Sequence, residues 1–423
     1  MSMPVTVHFY RFFMTALTVF LPLYLRRRVA AGKEDGTRIT ERFAIIPQIP
    51  KADKRFWLHA VSVGECRAAL RLSQALTQQF ETCQIIISCG TVTAAELIAQ
   101  QKDELPVTQI YAPFDAPKYC RQFFDNLQPD CGIILESDFW PNIIMTAHEK
   151  GIPLFLASAQ MSENAFQNWR KRPQFAKAVF GNIAHIFATD ETQKQQFDLL
   201  GAPSSSISGT LKLPQKQATD NKLIKAIKSA AGTDFILLAA STHETEEALA
   251  LSISRRLTAS GLAHFLIIAP RHPDRADSVA ALCPDAKRRS HGDVPDAGDT
   301  LYLADRLGDM TSLYEACDIV LLGATFIGKG GHNPLEAAAA GKPIVCGPSQ
   351  FKNQLEFDQM HEKGVCFTLS DEGQIVKKIT SLMANEAQRK TISRTAKKHV
   401  IEADKRADKV AARLADILDE ASS

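Results

Sequence analysis

The sequence has no marked excess of charge and no cysteine arrangement typical of a metal or disulfide site. Its 423 residues carry 49 Lys and Arg against 47 Asp and Glu, a formal net charge of +2, so no nucleic-acid partner is expected. The nine cysteines form no CxxC pair, which favours buried thiols in a reducing compartment over a disulfide framework. HExxH, Walker lysine and Gly-x-Ser-x-Gly motifs are absent, so neither a catalytic metal nor another cofactor is predicted.

The longest apolar run lies near the amino terminus and is short for a membrane span. Residues 12–25 contain no charged side chain over 14 positions, whereas a spanning helix needs about 20. Arg26, Arg27 and Arg28 follow directly. We predict that residues 1–30 form a membrane-associated helix on the cytoplasmic side, with its basic end at anionic headgroups. A single true span and a helix that only docks on the protein are the alternatives.

From residue 56 onward, short apolar runs alternate with segments of helical spacing, which predicts βαβ units and parallel sheets. The runs lie at residues 56–61, 84–88, 131–135, 153–157, 183–188, 235–240, 265–269, 300–303, 319–322 and 343–346. A polar stretch around residues 204–220 divides them into two halves. We therefore predict an α/β protein with two Rossmann-like domains facing a cleft, at residues 31–208 and 209–390. A charged C-terminal helix at 391–423 is expected to pack back on the N-terminal domain.

Polar residues follow the predicted strands of the first half, and open α/β sheets bind ligands at such strand ends. Glu65, after Ser62 and Gly64, is a candidate general base for an acceptor hydroxyl. The alternative is a first-turn Glu that only complements a helix dipole. Glu136 and Asp138 follow another strand and are candidates for orienting a polyol, although helix capping explains part of their pattern.

His59 lies within the first of these strands. We interpret it as a hydrogen-bonded strand residue rather than a catalyst.

The second half carries polar residues suited to an anion at the corresponding places. Ser241 and Thr242 follow a strand and are candidates for a phosphate or carboxylate cradle, with a capping box as the alternative. Arg271 and His272, held between Pro270 and Pro273, offer hydrogen-bond donors to a phosphate or carboxylate.

Residues 305–310, including Gly308 and Met310, precede a predicted helix. Their backbone is expected to cap the base of a nucleotide.

The stretch from Gly328 to Glu336 is a glycine-rich turn between a predicted strand and a predicted helix. This layout aims backbone N–H groups at a phosphate, and Gly330 and Gly331 permit close approach to an anion. Asn333 is a candidate N-cap, and Glu336 is a candidate acceptor for ribose hydroxyls. A tight turn with no ligand is the alternative.

Taken in order, these segments resemble the bacterial 3-deoxy-D-manno-octulosonic acid (Kdo) transferase family. The resemblance covers nearly the whole chain, and motifs in this order and spacing are highly specific. The matching stretches are Trp57-x-His59-Ala60-Val61-Ser62-x-Gly64-Glu65, Glu136-x-Asp138-x-Trp140-Pro141-Asn142, Gly209-x-Leu211-Lys212, Ala240-Ser241-Thr242-His243-x-x-Glu246, Pro270-Arg271-His272-Pro273-x-Arg275 and Gly330-Gly331-His332-Asn333-Pro334-Leu335-Glu336.

The resemblance implies a GT-B glycosyltransferase at the cytoplasmic face of the cell inner membrane. It implies inverting transfer of Kdo from CMP-Kdo to a lipid A precursor in lipopolysaccharide biosynthesis, without an essential metal. By its position in the motif, Glu65 corresponds to the catalytic base of that family. The residues that fall on the donor side are Lys212, Ser241, Thr242, Arg271, His272, Gly308, Met310, Gly330, Gly331, Asn333 and Glu336. Those that fall on the acceptor side are Ser62, Gly64, Glu136 and Asp138.

The sequence departs from the family pattern at several positions near the predicted site. Gln160 stands where an arginine is usual, and Asp138 and Asp309 stand where glutamates are usual. Two alternatives therefore accompany the main prediction: a GT-B enzyme that uses another nucleotide sugar or acceptor, and a non-catalytic nucleotide-binding paralogue. Retention of Glu65 favours an enzyme, because a protein that only binds the nucleotide has no need of a base.

Overall fold

The chain divides into two compact units, each built on its own sheet. The structure is a computed structural model and describes residues 4–100, 104–214 and 218–422. The first unit runs to Lys212 and also includes the chain from Asp404 onward, and the second unit spans Leu213–Ala403.

The first unit has a seven-stranded parallel sheet with strand order β3-β2-β1-β4-β5-β6-β7. Its strands are β1 Lys54–Ala60, β2 Cys83–Cys89, β3 Val107–Tyr111, β4 Cys131–Leu135, β5 Leu154–Ala159, β6 His185–Ala188 and β7 Ser205–Ile207. Its helices are α1 Val5–Leu17, α2 Leu21–Ala30, α3 Val63–Gln79, α4 Val92–Ala99, α5 Pro117–Leu127, α6 Pro141–Glu149, α7 Glu163–Arg170, α8 Pro173–Phe180, α9 Glu191–Leu199 and α18 Arg406–Ser422.

Both faces of this sheet are covered, because successive side chains of a strand point to opposite faces. In β1, Phe56 and Leu58 join a buried cluster that includes α3, whereas Trp57 joins a second cluster with α5 and α6. The strand order reverses between β1 and β4, which is the position where open α/β sheets bind ligands.

The second unit has another seven-stranded parallel sheet, with strand order β10-β11-β9-β8-β12-β13-β14. Its strands are β8 Phe235–Thr242, β9 His264–Pro270, β10 Lys287–Arg288, β11 Leu301–Leu303, β12 Ile319–Leu322, β13 Ile344–Cys346 and β14 Cys366–Thr368. Its helices are α10 Asn221–Ala231, α11 Glu246–Ala259, α12 Ala276–Ala280, α13 Met310–Ala316, α14 Leu335–Ala339, α15 Gln354–Glu362, α16 Glu372–Ala384 and α17 Glu386–Asp404.

All ten predicted strands are present, and the α/β prediction is confirmed. The four strands that the sequence did not predict, β3, β7, β10 and β14, are the edge strands of the two sheets. Each contains residues that are only partly buried. Edge strands contact one neighbour rather than two, so their sequences need not form a continuous apolar run.

The amino-terminal segment differs from the prediction, because it forms two helices rather than one. α1 and α2 meet at an angle of 59°, and no single helix in the described ranges is long and apolar enough to cross a membrane, although this bent pair qualifies by length and composition. Pro22 explains the break, since it lies at the start of α2 and cannot continue α1. Four residues of the pair are buried against the first unit: Val7, Met14, Leu21 and Leu25.

The carboxyl-terminal segment also divides differently from the predicted helix at 391–423. α17 remains with the second unit up to Ala403, and α18 packs on α3 in the first unit. Arg406 donates a hydrogen bond to the carbonyl of Thr210 at 3.3 Å. α18 buries Ala407, Val410, Ala411 and Leu414 in the cluster that contains α3.

We predict that Leu414→Ala destabilises the first unit by about 2–5 kcal/mol, because Leu414 is fully buried and its removal leaves a cavity. The measurement is the free energy of unfolding in urea. Leu199→Ala is the matched control, because Leu199 is 73% exposed in the same unit, and it should change stability by no more than about 0.5 kcal/mol. Equal effects of the two substitutions would contradict the packing of α18.

Candidate active site

The backbone turns sharply where central strands leave the two sheets. Glu136 (φ 62°) follows β4, and Ser158 (φ 55°) lies near the end of β5. In the second sheet, Ser241 (φ 52°) lies near the end of β8 and Ala324 (φ 62°) follows β12. A non-glycine residue in this left-handed region costs on the order of 1–3 kcal/mol and is found preferentially at functional sites. These turns bring polar groups to the carboxyl edge of each sheet.

Glu65 forms a complete capping box with Ser62 at the start of α3. Its Oε2 accepts from the N–H of Val61 at 2.7 Å, and its Oε1 accepts from the Ser62 hydroxyl at 2.9 Å. Glu65 therefore does cap the helix, as the alternative predicted. The capping contacts leave room for further hydrogen bonds, because a carboxylate has about four acceptor positions and Glu65 is only partly buried. The hydrogen bonds hold the carboxylate in one orientation beside strand β1.

Glu136 is the buried member of a second polar group in the same unit. Its Oε2 accepts from the ammonium of Lys212 at 2.6 Å and from the amide of Gln160 at 3.2 Å. Burial raises the pKa of Glu136, an effect that Lys212 opposes and the charge of Glu65 reinforces. The two carboxylates are therefore close enough to interact. Within the described residues, Glu136 Oε1 is buried and has no hydrogen-bond partner.

Lys212 lies in the first unit, not in the second half where the sequence placed it, and pairs with Glu136. Its predicted role in binding the donor stays a prediction. A Cβ added to Gly64 would lie 3.0 Å from Cε of Lys212, so glycine at position 64 leaves room for the lysine stem. The chemical reason for the pair is plain, because a buried carboxylate needs a cation.

His59 and Asp138 form a third polar group at the ends of β1 and β4. Nε2 of His59 lies 2.7 Å from Asp138 Oδ2, and Nδ1 lies 2.8 Å from the hydroxyl of Ser88. The indole of Trp140 donates to the same Asp138 oxygen at 2.5 Å. Burial acts to raise the pKa of Asp138, but the hydrogen bond and charge of His59 outweigh it and hold that pKa below its usual value.

A cavity of about 280 Å³ lies beside this third group. His59, Asp138 and Trp140 line one side, and α2 covers the other with Tyr24 and Arg28. The cavity therefore lies at the reversal point of strand order. The sequence indicated Asp138 here but not the contribution of α2.

In the second unit, Ser241 and Thr242 differ in what they offer. The hydroxyl of Thr242 is buried and donates to Glu247 at 2.9 Å, so it is a structural contact. Ser241 bulges out of the pairing between β8 and β9. The predicted capping box is not formed, because α11 has Thr245 at its N-cap, with no hydrogen bond from that side chain.

Glu246 occupies a nest of backbone donors at the ends of β8 and β12. Its carboxylate accepts from the N–H groups of His243 at 3.0 Å, Ala324 at 2.8 Å and Phe326 at 3.1 Å. Burial raises the pKa of Glu246, and these three hydrogen bonds oppose the shift. These donors are satisfied by a protein carboxylate.

The N–H groups of Gly330 and Gly331 in the glycine-rich turn are already bonded to other parts of the second unit, which corrects the predicted phosphate cradle at these two residues. The N–H of Gly330 donates to the Ser349 hydroxyl at 2.8 Å, and that of Gly331 to the carbonyl of Ala324 at 2.9 Å. The glycines serve the shape of the turn. Both have positive φ, and a Cβ on Gly330 would lie 2.7 Å from the ring of Phe351.

Asn333 and Glu336 lie just beyond the turn. Asn333 Oδ1 accepts from the N–H of Leu335 at 3.0 Å, next to the N-cap Pro334 of α14. Glu336 is exposed in part, but the surrounding protein desolvates its carboxyl group and raises its pKa, an effect that the charge of Arg271 opposes. Arg271 and Glu336 are therefore near one another. The side chains of Arg271 and His272 are exposed.

Gly308 and Met310 lie where α13 begins. Gly308 has a φ of 98°, and Met310 is the first residue of α13. Between them, Asp309 accepts from Nε of Arg289 at 2.8 Å, and the same guanidinium reaches Asp220 at 2.9 Å. The ion pairs hold this loop against the start of α10.

Two histidines that the sequence did not assign form the centre of the second unit's polar edge. His243 and His332 stack at 5.2 Å with nearly parallel rings, and their Nε2 atoms are 3.1 Å apart. Nζ of Lys329 lies 3.1 Å from Nδ1 of His243. Burial, with Lys329, lowers the pKa of His243 to about 4. Burial, with His243, lowers the pKa of His332 to about 4.

The described ranges contain no group of three or more His, Cys, Asp or Glu placed to hold a metal ion. The three polar groups of the first unit and the edge of the second unit thus consist of organic acids, bases and hydrogen-bond donors. Their chemistry is proton transfer and the binding of anions.

We predict that acid destabilises the protein through the histidine pair. An unfolded histidine has a pKa of about 6.5, above the folded values of both, so the unfolded state takes up protons first as pH falls. The contribution is fully present above about pH 6.5 and is lost toward pH 4. From pH 7 to pH 5 it amounts to about 2 kcal/mol for one histidine.

The measurement is urea unfolding between pH 7 and pH 5. The variant His243→Asn/His332→Asn should show a weaker dependence of stability on pH than the wild type. His291→Asn is the control, because His291 is exposed, and it should retain the wild-type dependence. An unchanged dependence in the double variant would contradict the pair's role.

Comparisons with known proteins support the family that the motifs indicated. A family model described as 3-deoxy-D-manno-octulosonic-acid transferase matches residues 37–215, and one described as glycosyl transferases group 1 matches residues 298–399. The chain is 33% identical to the 3-deoxy-D-manno-octulosonic acid transferase of Rickettsia bellii over 346 residues, which covers 79% of this chain and 81% of that protein. It is 30% identical to the Haemophilus influenzae protein of the same name over 303 residues, 70% of this chain and 71% of that protein.

Among solved structures, a glycosyltransferase from Rickettsia africae matches with a TM-score of 0.60 and 12% identity, covering 86% of this chain and 98% of that chain. At that identity the match supports only the fold, which consists of two parallel-sheet α/β units as in GT-B glycosyltransferases. Together with the order of the motifs, these matches show that the chain belongs to the Kdo transferase family and is a glycosyltransferase.

Proposed function

We propose that this protein transfers Kdo from CMP-Kdo to a lipid A precursor, with inversion at the anomeric carbon, in lipopolysaccharide synthesis. The acceptor hydroxyl loses its proton to Glu65 as its oxygen bonds to the anomeric carbon. The bond from that carbon to the phosphate oxygen breaks, and CMP leaves with the bonding electrons. This is one displacement with one base and one leaving group, and it forms no covalent intermediate with the protein.

The observation that carries the proposal is the fixed carboxylate of Glu65 at the end of β1. A sugar hydroxyl is a poor nucleophile, and a positioned carboxylate contributes roughly 100- to 10,000-fold to such a step. Three hydrogen bonds from Val61 and Ser62 orient the group without neutralising it. Its neighbour Glu136 is neutralised by Lys212, so of these two carboxylates Glu65 is the one proposed to accept the proton.

The donor is assigned to the second unit in this proposal. Arg271 and His272 are exposed hydrogen-bond donors at the end of β9, and donors aimed at a departing phosphate stabilise the charge that develops on it. Ser241, Gly308, Met310, Asn333 and Glu336 lie at the same sheet edge and are proposed to bind the nucleotide, whereas Gly330 and Gly331 are proposed to act only by shaping the turn. Thr242 is proposed to act only by holding Glu247. With side chains supplying the positive charge, the mechanism has no step that calls for a metal.

The acceptor is assigned to the first unit, at the cavity lined by His59, Asp138 and Trp140. An aromatic face beside a carboxylate suits a sugar ring with its hydroxyls. The helices α1 and α2 expose a set of large apolar side chains, and α2 ends in basic residues. The exposed set is Val5, Phe9, Phe12, Phe13, Val19, Phe20, Leu23 and Tyr24. We propose that this surface rests on the cytoplasmic face of the inner membrane, where a lipid acceptor resides.

We predict that Glu65→Gln lowers the rate of transfer roughly 100- to 10,000-fold, because glutamine keeps the capping contact but has no basic oxygen. The measurement is initial transfer from CMP-Kdo to a lipid A precursor, followed by mass spectrometry. Binding of CMP and the melting temperature should stay at wild-type values.

Glu65→Ala is the matched comparison, because it removes the base and the cap together. It should lose the same activity and in addition about 1 kcal/mol of stability. Wild-type turnover in Glu65→Gln would remove Glu65 from the mechanism.

A further inference from the structure

Lys329 lies in the glycine-rich turn, beside His243, and has no role in the mechanism proposed above. The turn is anchored directly after Lys329 by Gly330 and Gly331, whose N–H groups are satisfied by Ser349 and Ala324. Lys329 itself is exposed. A lysine in a free turn would lose backbone and side-chain entropy on binding a ligand. Here the backbone on which it stands is already fixed.

Its side chain is also fixed, by a chain of hydrogen bonds whose direction follows from chemistry. The ammonium of Lys329 can only donate, so Nδ1 of His243 accepts. Neutral His243 then carries its proton on Nε2 and donates to Nε2 of His332. His332 in turn carries its proton on its other nitrogen and donates to the backbone carbonyl of Ser241. The chain therefore runs one way, from the lysine to the end of β8.

The charge of Lys329 is not cancelled by this anchor. Both histidines are neutral at pH 7, because the pKa of each is lowered to about 4. Two nearby carboxylates are already engaged, Glu246 by three backbone N–H groups and Glu247 by Arg275 at 2.7 Å. No ion pair within the described ranges of the chain includes Lys329. A cation is thus aimed by neutral partners and keeps two N–H groups for an anion.

A second cation lies in the same region. Arg271 acts on His332, with a smaller contribution from Lys352, and Lys329 acts on His243, so Lys329 and Arg271 both lie within electrostatic reach of the histidine pair. A donor such as CMP-Kdo carries two anionic groups on one carbon, because the anomeric carbon of an ulosonic acid bears the carboxylate and, in the activated sugar, the phosphate. Two anions so close together suit two cations rather than one.

We propose that Lys329, aimed by His243 and His332, binds an anionic oxygen group of the donor, and that this group is the carboxylate of the sugar. The inference rests on the proposed function for the donor, and it adds a residue that distinguishes an acidic sugar from a neutral one. Arg271 then binds the phosphate of the donor. Because the two cations serve different groups, their substitutions should have different effects on CMP and on CMP-Kdo.

The experiment compares dissociation constants for CMP and CMP-Kdo in the full-length Glu65→Gln protein, in which turnover is suppressed. Lys329→Met should bind CMP within about twofold of the parent and CMP-Kdo roughly 10- to 100-fold more weakly, the effect of one charge-assisted hydrogen bond. Arg271→Ala should weaken both ligands by a similar factor. Lys329→Arg should recover part of the loss, because it restores the charge.

His243→Asn tests the aiming, since asparagine offers an acceptor in place of Nδ1. It should retain more affinity for CMP-Kdo than His243→Leu, with CMP binding equal in both. Equal weakening of CMP and CMP-Kdo in Lys329→Met would assign Lys329 to the phosphate and overturn the proposal. No change in either ligand would exclude Lys329 from the donor site.

Comparing the two ligands in the parent Glu65→Gln protein separates this inference from the function on which it rests. If that protein binds CMP-Kdo no more tightly than CMP, the proposed donor is wrong and the inference fails with it. If the parent prefers CMP-Kdo and Lys329→Met retains that preference in full, only the inference is overturned.

Discussion

The polar edge of each sheet depends on a backbone that turns sharply as it leaves the central strands. Four non-glycine residues there hold a left-handed conformation, each at a cost of on the order of 1–3 kcal/mol. Specific contacts offset that cost: Lys212 and Gln160 bind Glu136, the Ser158 hydroxyl accepts from Leu211, and the Ser241 carbonyl accepts from His332. The contacts that stabilise the turns are thus the same ones that arrange the candidate site.

Most polar groups at these sheet edges already have protein partners. The nest at the ends of β8 and β12 is filled by Glu246, and the N–H groups of Gly330 and Gly331 bond to Ser349 and Ala324. What remains available is a smaller set of side chains with unbalanced charge. Among the described residues this set includes Glu65 in the first unit and Arg271 and Lys329 in the second, the proposed proton acceptor and two proposed anion-binding cations.

The sequence predicted the central strands because both faces of those strands are buried and their apolar runs are continuous. It did not predict the edge strands, whose residues are partly exposed and carry no such run. It placed Glu65, Arg271 and Glu336 at strand ends because parallel strands end at one edge. The histidine pair could not be predicted in this way, since its members are 89 residues apart and meet only through the pairing of β8 with β12.

The amino-terminal break and the position of Lys212 were missed for different reasons. Composition marked residues 1–30 as one apolar segment, although Pro22 within that segment starts a second helix. The predicted boundary after residue 208 put Lys212 in the second half, but Lys212 lies in the first unit, where it pairs with buried Glu136. The ion pair of Lys212 is a tertiary contact that local sequence does not contain, whereas the break at Pro22 could have been predicted from the sequence.

The central claim is that a single carboxylate deprotonates an acceptor hydroxyl which then displaces CMP. The most direct test is the product itself: full-length protein incubated with CMP-Kdo and a lipid A precursor, with the lipid analysed by mass spectrometry and by NMR at the new glycosidic carbon. The account predicts a lipid heavier by one or more Kdo residues and an anomeric configuration opposite to that of the donor. An unmodified lipid, or a product that retains the donor's configuration, would contradict it.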